Sequence, residues 1–259
     1  MPKTPSFFWY ELMTSYIDVA RDFYAGVVGW HPEPWPANDM SGRPYIVMNS
    51  AERGVAGIMN LPDGARGMPP AWVGYIYSAD TDASANALKK AGGMVHRGPA
   101  NIPDVGRFAV VSDPQGAMFM FLKPEGPDQP EIPMDTQGHI GWHDLYTDDW
   151  QAAFDFYSDQ FGWTRDEAMD MGPMGTYQIF AVDGVPVGGM MNKSDKSAPN
   201  GWLFYTNVPD IDAAVKKTRD RGGKTLMEPM EVPGGQWVAQ CLDPQGARFA
   251  MVAPGRAGA

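Results

Sequence analysis

A single cysteine, Cys241, stands in 259 residues, which excludes an intrachain disulfide and fits a reducing compartment. Basic residues are also scarce, 20 against 31 acids, leaving a net charge of −11. Phosphate backbones bind cationic surfaces, so no nucleic-acid partner is expected; the acidity reads as solubility. No apolar run reaches the ~18 residues of a membrane span. The opening MPKTPSFFWYELM also lacks the apolar core of a signal peptide. The expectation is a cytoplasmic protein with no membrane partner. The G-x-S-x-G elbow, the P-loop and the Rossmann glycine fingerprint after a strand are missing as well.

What is present is repetition. WYELMTSYIDVARDFY from Trp9 returns as WHDLYTDDWQAAFDFY from Trp142. FYAGVVGW ending at Trp30 returns as FYSDQFGW ending at Trp163. Tyr45 with GIMN from Gly57 matches Tyr177 with GMMN from Gly189, and WVGYIYSADTDA from Trp72 matches WLFYTNVPDIDA from Trp202. DPQGA occurs at Asp113 and again at Asp243. The offset drifts only from 133 to 130 along the chain, the mark of an internal duplication with small loop deletions. The Pro-, Gly- and acid-rich stretch from Lys123 to Gly138 reads as a linker. The expected division is a first domain over 1–124, a linker over 125–138 and a second domain over 139–259.

Each half holds the same plan twice. FFWYELMT alternates and reads as a strand. A helix follows with Val19, Ala20, Phe23, Tyr24 and Val27 on one face, ending near Gly29. RPYIVMNS and GVAGIMNL read as strands about a turn, and AWVGYIYS as another. Asp80, Thr81 and Asp82 offer caps to a second helix stopped by Gly92 and Gly93. RFAVVSD and AMFMFLK form a hairpin across PQG. Asp148, Asp149 and Asp210 cap the corresponding helices of the second half. The segments His31–Gly42 and Arg165–Gly175 read as long, divergent loops, and His31 and His96 fall in loop-like sequence. Twisted strands of this number, backed by helices, curl into an open cup.

These residues resemble the vicinal oxygen chelate superfamily, which contains glyoxalase I, bleomycin-resistance proteins and extradiol dioxygenases. The marks are DFY…GW closing the first helix of each half, D-x-D-A opening the second, the Gly-Gly stop and DPQGA in the last hairpin. The likeness is closest to a tandem, glyoxalase-like branch that begins W-x-E-L-x-T; the second half departs from it with Asp144 in place of Glu. The resemblance implies an α+β fold of four βαβββ modules in two tandem glyoxalase-like domains, each a curved mixed sheet forming a cup.

It also implies where metal ligands would stand: fifteen residues before the Tyr of FY, near the Gly of GIMN or GMMN, near Val73 and Gly74 or Leu203 and Phe204, and seven residues after the Asp of DPQG. Those positions hold Trp9, Gly57 and Met120 in the first half, and Trp142, Gly189 and Ala250 in the second. None suits a hard or borderline cation, so neither metal nor other cofactor is expected. His139 and His143 share a strand face and could in principle pinch a metal. However, His143 follows Trp142 and faces away from the cup, so a structural role is expected.

Alternation places Trp9, Glu11 and Met13 on one face of the opening strand, and Trp142, Asp144 and Tyr146 on that of its copy. Glu11 and Asp144 are the candidate acid/base groups; the bland alternative is pairing with an arginine or a backbone group. Trp9, Met13, Tyr45, Trp72, Met120, Trp142, Tyr146, Tyr177 and Trp202 are candidate ligand contacts. For Trp72 and Trp202 packing is the alternative, and Tyr45 and Tyr177 are not oriented by the sequence. Arg107 could clamp a carboxylate or neutralise a surface acid. Cys241, in an apolar strand, reads as buried and inert.

The expected function is binding of a small, partly apolar organic molecule in the sheet cavity, without a metal. The alternatives are a lyase, isomerase or hydroxylase-like enzyme using Glu11 or Asp144, and a metal-dependent glyoxalase or dioxygenase with displaced ligands. Divergent loops predict that the two cups differ in affinity. The chain could work alone or as a homodimer.

Overall fold

The computed structural model describes residues 4–36, 42–65, 67–126, 130 and 132–256. Part of the expected linker (127–129 and 131) and part of the first expected loop (37–41) lie outside them. Four βαβββ modules follow one another. The first is β1 (Phe7–Thr14), α1 (Ile17–Val28), β2 (His31–Pro34), β3 (Tyr45–Ser50) and β4 (Arg53–Asn60). The second is β5 (Ala71–Tyr77), α2 (Thr81–Lys90), β6 (Met94–Ile102), β7 (Gly106–Ser112) and β8 (Met118–Pro124). The third is β9 (Ile140–Thr147), α3 (Trp150–Phe161), β10 (Thr164–Asp170), β11 (Thr176–Val182) and β12 (Val185–Asn192). The fourth is β13 (Gly201–Asn207), α4 (Ile211–Asp220), β14 (Lys224–Glu231), β15 (Trp237–Leu242) and β16 (Arg248–Ala253).

The strands form two open, eight-stranded sheets, ordered β2-β3-β4-β1-β5-β8-β7-β6 and β10-β11-β12-β9-β13-β16-β15-β14. In every module the first and last strands run parallel, as a crossover helix requires, and the remaining neighbours are antiparallel. The α+β class and the fourfold repeat are therefore as the sequence implies.

Four strands of the expected βαβββ plan were not located by local sequence pattern. β2, β6, β10 and β14 stand at the sheet edges, and β2 is exposed along its whole length. Edge strands with proline and charge resist pairing with other chains, and the same residues erase the alternation that announces a strand. His31 and His96 thus lie in β2 and β6 rather than in loops. Val19 also departs from expectation: it is 45 % exposed, while Ala20, Phe23, Tyr24 and Val27 form the buried face of α1.

Backbone packing divides the chain into two compact units, each drawing on both halves of the sequence. One holds most of β5–β8 and β9–β12 with α2 and α3; the other holds most of β1–β4 and β13–β16 with α1 and α4. In the first, Trp163 stacks between Tyr157 and Phe180, with ring centroids 5.2 and 4.6 Å away, inside a core that includes Ile76, Phe119, Phe121 and Leu145. In the second, Tyr24 packs on Trp30 and Phe249.

The repeated motifs meet in a polar clasp inside each unit. Asp243 Oδ1 accepts hydrogen bonds from Gln245 N and Ala247 N, closing the DPQGA turn. Its Oδ2 accepts from the Tyr24 hydroxyl at 3.3 Å, and that hydroxyl accepts from Trp72 Nε1 at 2.8 Å. Tyr16, which opens α1, has no side-chain cap; Gln245 serves instead, its Oε1 accepting from Tyr16 N and its Nε2 donating to Tyr16 O. The other unit repeats each contact. Asp113 Oδ1 holds Gln115 N and Ala117 N, Oδ2 accepts from Tyr157 Oη at 3.2 Å, and Trp202 Nε1 donates to that hydroxyl. Gln115 grips Asp149 N and O at the start of α3. Burial pushes both aspartates upward from the ordinary carboxylate range, opposed by these turn amides.

Removing the shared hydroxyl would leave a buried indole N–H and a carboxylate oxygen without that partner. Tyr24→Phe and Tyr157→Phe are each expected to lower stability by about 1–3 kcal/mol, read as a fall in the urea midpoint. A wild-type midpoint in both variants would show that the clasp carries no weight.

Candidate functional site

Along β1, Tyr10, Leu12 and Thr14 turn into the protein interior, at 5, 0 and 0 % exposure. The alternate residues Trp9, Glu11 and Met13 share the opposite face. Trp9 and Met13 are half-buried there, but Glu11 is only 5 % exposed. A carboxylate so deeply placed demands partners.

The neighbouring strands supply one in an unusual way. In the parallel register of β1 and β4, Glu11 lies opposite Gly57, and across β3 and β4 Tyr45 lies opposite Met59. Tyr45 is thus diagonal to Gly57 and leans across it. A Cβ at Gly57 would sit 1.8 Å from the tyrosine Oη and 2.3 Å from Cζ, so only glycine leaves room for the ring. Passing over Gly57, the hydroxyl donates to Glu11 and accepts from Trp9 Nε1 at 3.2 Å. Burial raises the Tyr45 phenol well above its ordinary range, and the nearby Glu11 charge and hydrogen bond add to this against the opposing Trp9 bond. Tyr45 therefore remains a protonated donor at neutral pH.

The second copy is built alike. Asp144 lies opposite Gly189 in the parallel register of β9 and β12, and a Cβ at Gly189 would fall 2.0 Å from Tyr177 Cζ. Tyr177 Oη donates to Asp144 Oδ1 at 2.6 Å, while Tyr146 Oη donates to Oδ2 at 3.3 Å. Asp144 is 5 % exposed. The shorter acid is thus held by two phenols from its own unit.

The other sequence candidates fall elsewhere. Trp72 and Trp202 donate their indole N–H groups to the clasp tyrosines. Arg107 forms a two-pronged pair with Asp82 and donates to Asn101 Oδ1 at 2.9 Å, the surface-neutralising arrangement. Met120, 2 % exposed, lies opposite Tyr75 and Val110 in the sheet. Met13 lies opposite Met59 on β4, and Trp142 is half-buried on β9. Cys241 is fully buried, and burial pushes its thiol up to about 11.

His143 lies on the opposite face of β9 from Asp144. Its ring stacks on Phe7 at 5.0 Å and Nδ1 donates to Val187 O at 2.7 Å. Burial pulls its pKa down to about 4. Among the described residues no three His, Cys, Asp or Glu gather as a metal would need. At the positions where the resemblance would put ligands stand Trp9, Gly57 and Met120, and the space above Gly57 is taken by the Tyr45 ring.

Two features escaped the sequence reading. One is the role of Gly57 and Gly189 as floors for a tyrosine; the hint was a glycine inside a strand, where it usually signals close approach. The other is a polar row on the fourth module, where Arg248 donates to Gln240 and Gln240 Nε2 donates to Tyr205 Oη at 3.1 Å.

The model of the Glyoxalase/Bleomycin resistance protein/Dioxygenase superfamily matches residues 6–121 and again 136–251. "Putative glyoxylase CFP32" of Mycobacterium bovis is 31 % identical over 247 residues, covering 95 % of this chain and 94 % of the relative. "Anthracycline biosynthesis protein DnrV" of Streptomyces peucetius is 31 % identical over 268 residues, covering 97 % and 93 %. Among solved structures, 2,2',3-trihydroxybiphenyl 1,2-dioxygenase from Sphingomonas wittichii superposes with a TM-score of 0.68 at 12 % identity, covering 98 % of this chain and 92 % of that one. At that identity the likeness concerns the fold.

Gly57→Ala should force Tyr45 off Glu11 at a cost of about 1–3 kcal/mol for overpacking. Adding Tyr45→Ala should make the double variant more stable than the sum of the two single losses implies, as denaturant titration would reveal; additive losses would refute the contact. For His143, the unfolded chain binds a proton below about pH 6.5 and the folded one only below about 4. Its contribution is therefore whole above pH 6.5 and falls by about 3 kcal/mol as the pH drops through that window. The stability gap between wild type and His143→Phe should narrow from pH 7 to 4.5; a constant gap would contradict this.

Proposed function

Because the chain belongs to the Glyoxalase/Bleomycin resistance protein/Dioxygenase superfamily, we propose that it binds a small, partly apolar, hydroxyl-bearing organic molecule against its sheet. In this reading the superfamily's metal ligands have been lost. The observation that carries it is the buried acid held by a tyrosine laid over a glycine, Glu11 with Tyr45 over Gly57, built again as Asp144 with Tyr177 over Gly189. Tyrosine and glycine stand where a cation and its ligand would need space, and Trp9 on the same strand face brings no suitable donor.

The same arrangement suits an organic ligand. A carboxylate accepts hydrogen bonds along about four directions, and a ligand hydroxyl is a natural donor to it. Trp9 on the same face supplies a flat apolar surface for stacking. A relative named for anthracycline biosynthesis accords with a planar, hydroxylated ligand, since anthracyclines are fused-ring hydroxyarenes.

A catalytic reading has one observation of its own. Tyr45 stays protonated, so the carboxylate is the member of the pair able to take a proton. Glu11 would then act as general base in a lyase, isomerase or hydroxylase-like reaction, with Asp144 as its counterpart.

The test is calorimetric titration of protein dialysed against EDTA, using 1,8-dihydroxyanthraquinone as probe. Binding should survive chelation, and Glu11→Gln should weaken it about tenfold, the ~1.4 kcal/mol expected for loss of one charge-assisted hydrogen bond. Binding that disappears with a stoichiometric metal would overturn the metal-free reading. Undiminished affinity in both Glu11→Gln and Asp144→Asn would overturn the role of the acids.

A further inference from the structure

The repeat gives α1 and α3 equivalent surroundings, a DPQGA hairpin and the end of an adjacent helix, but the two differ at a few exposed positions. Arg221, which closes α4, lays its guanidinium on Gly26 of α1: a Cβ there would meet Arg221 Cζ at 2.0 Å. Asp22, one turn earlier, is held below the ordinary carboxylate range chiefly by Arg21, with Arg221 adding to the effect. Val19 flanks this contact in the sequence of α1.

In the unit built on α3, Asp22 is kept as Asp155, but the residues at the positions of Arg221, Gly26 and Val19 differ. The counterpart of Arg221 is Ala91, that of Gly26 is Asp159, and that of Val19 is Ala152. Two large side chains have become methyl groups, and an acid stands where the arginine's resting place had been bare. The result is a cleft of about 310 Å³ lined by Ala91, Ala152, Asp159 and the buried Phe156, with Gln115 and Gln160 as its amides. That volume lies at the small end of ligand clefts, ~300–1,000 Å³. Asp155, one turn before Asp159, is paired with Arg165 at 3.1 Å. Asp159 makes no ion pair among the described residues.

We propose that this cleft receives the arginine side chain of a partner polypeptide, seated on α3 as Arg221 is seated on α1. The equivalent frame in the same molecule already holds a guanidinium, so shape is not in question. Asp159 supplies the counter-charge that Gly26 does not, and a planar fork suits a carboxylate flanked by amides better than a compact ammonium. The net charge of −11 draws a basic partner toward the surface. The aliphatic stem would cover the methyl groups of Ala91 and Ala152 and the edge of Phe156.

Titration of the ¹⁵N-labelled full chain with Nα-acetyl-L-arginine amide, followed by NMR, tests this. Saturable shifts are expected at the side-chain amides of Gln115 and Gln160 and at the backbone amide of Asp159. They should be several-fold weaker in Asp159→Asn and with the lysine analogue, and absent in Ala91→Arg, whose own guanidinium fills the cleft. Ala91→Arg should also melt higher than wild type, and Ala91→Lys should not. Absence of saturable shifts, equal response to lysine, or an undiminished response in Ala91→Arg would overturn the proposal.

Discussion

The fold rests on two buried carboxylates that tie hairpins to helices. Asp113 and Asp243 each close a turn through one oxygen and hold a helix tyrosine through the other. A buried acid is costly unless its acceptor sites are filled, and here turn amides, tyrosine and tryptophan form one chain of donors and acceptors. Glutamine in the same turn then supplies the cap that α1 lacks. The motifs that the halves share most faithfully, FY, the strand-opening Trp and DPQGA, are the parts of this single network. Their persistence is explained by packing before any function is invoked.

A second pair of acids obeys the same cost but is placed differently. Glu11 sits on the strand face opposite to Leu12 and Asp144 on that opposite to His143, and each is reached by a tyrosine that only a glycine lets pass. Nothing in the clasp requires them. A buried acid is costly to stability even when it is paired, and these two lie outside the hairpin-to-helix clasp, which is why the functional reading centres on them. The exchange of Glu for Asp alters the partners in a sensible direction. Asp144 reaches less far and is met by Tyr146 from two residues along its own strand, whereas the Glu11 pair is buttressed by the Trp9 indole.

Much of this was legible because it depends on local pattern. Period-two alternation puts Glu11 on the same strand face as Trp9 and Asp144 on that of Trp142, and the duplication carries the plan into both halves. The rest depends on what crosses from strand to strand. Tyr45 could not be oriented from its own neighbours, because its direction is set by a missing side chain at Gly57, twelve positions later. Trp72 and Trp202 read as ligand contacts since nothing nearby reveals that a helix tyrosine claims their N–H groups. The edge strands β2, β6, β10 and β14 stayed hidden for the opposite reason: with little buried surface they carry no hydrophobic period to detect.

Comparison of the copies separates structure from specialisation within one chain. The clasp is built from positions identical in both copies, where substitution breaks a buried network. Positions that changed in concert, Arg221 with Gly26 and Ala91 with Asp159, lie on the surface, where a lost contact is tolerated. Drift alone would scatter such changes in charge and size. Here an arginine disappears, the residue beneath it gains the opposite charge, and a flanking valine shrinks to alanine, so three substitutions agree on one vacated guanidinium-sized space. Neighbouring differences that agree in this way bear on one space, and the copy on α1 shows a guanidinium seated in its equivalent.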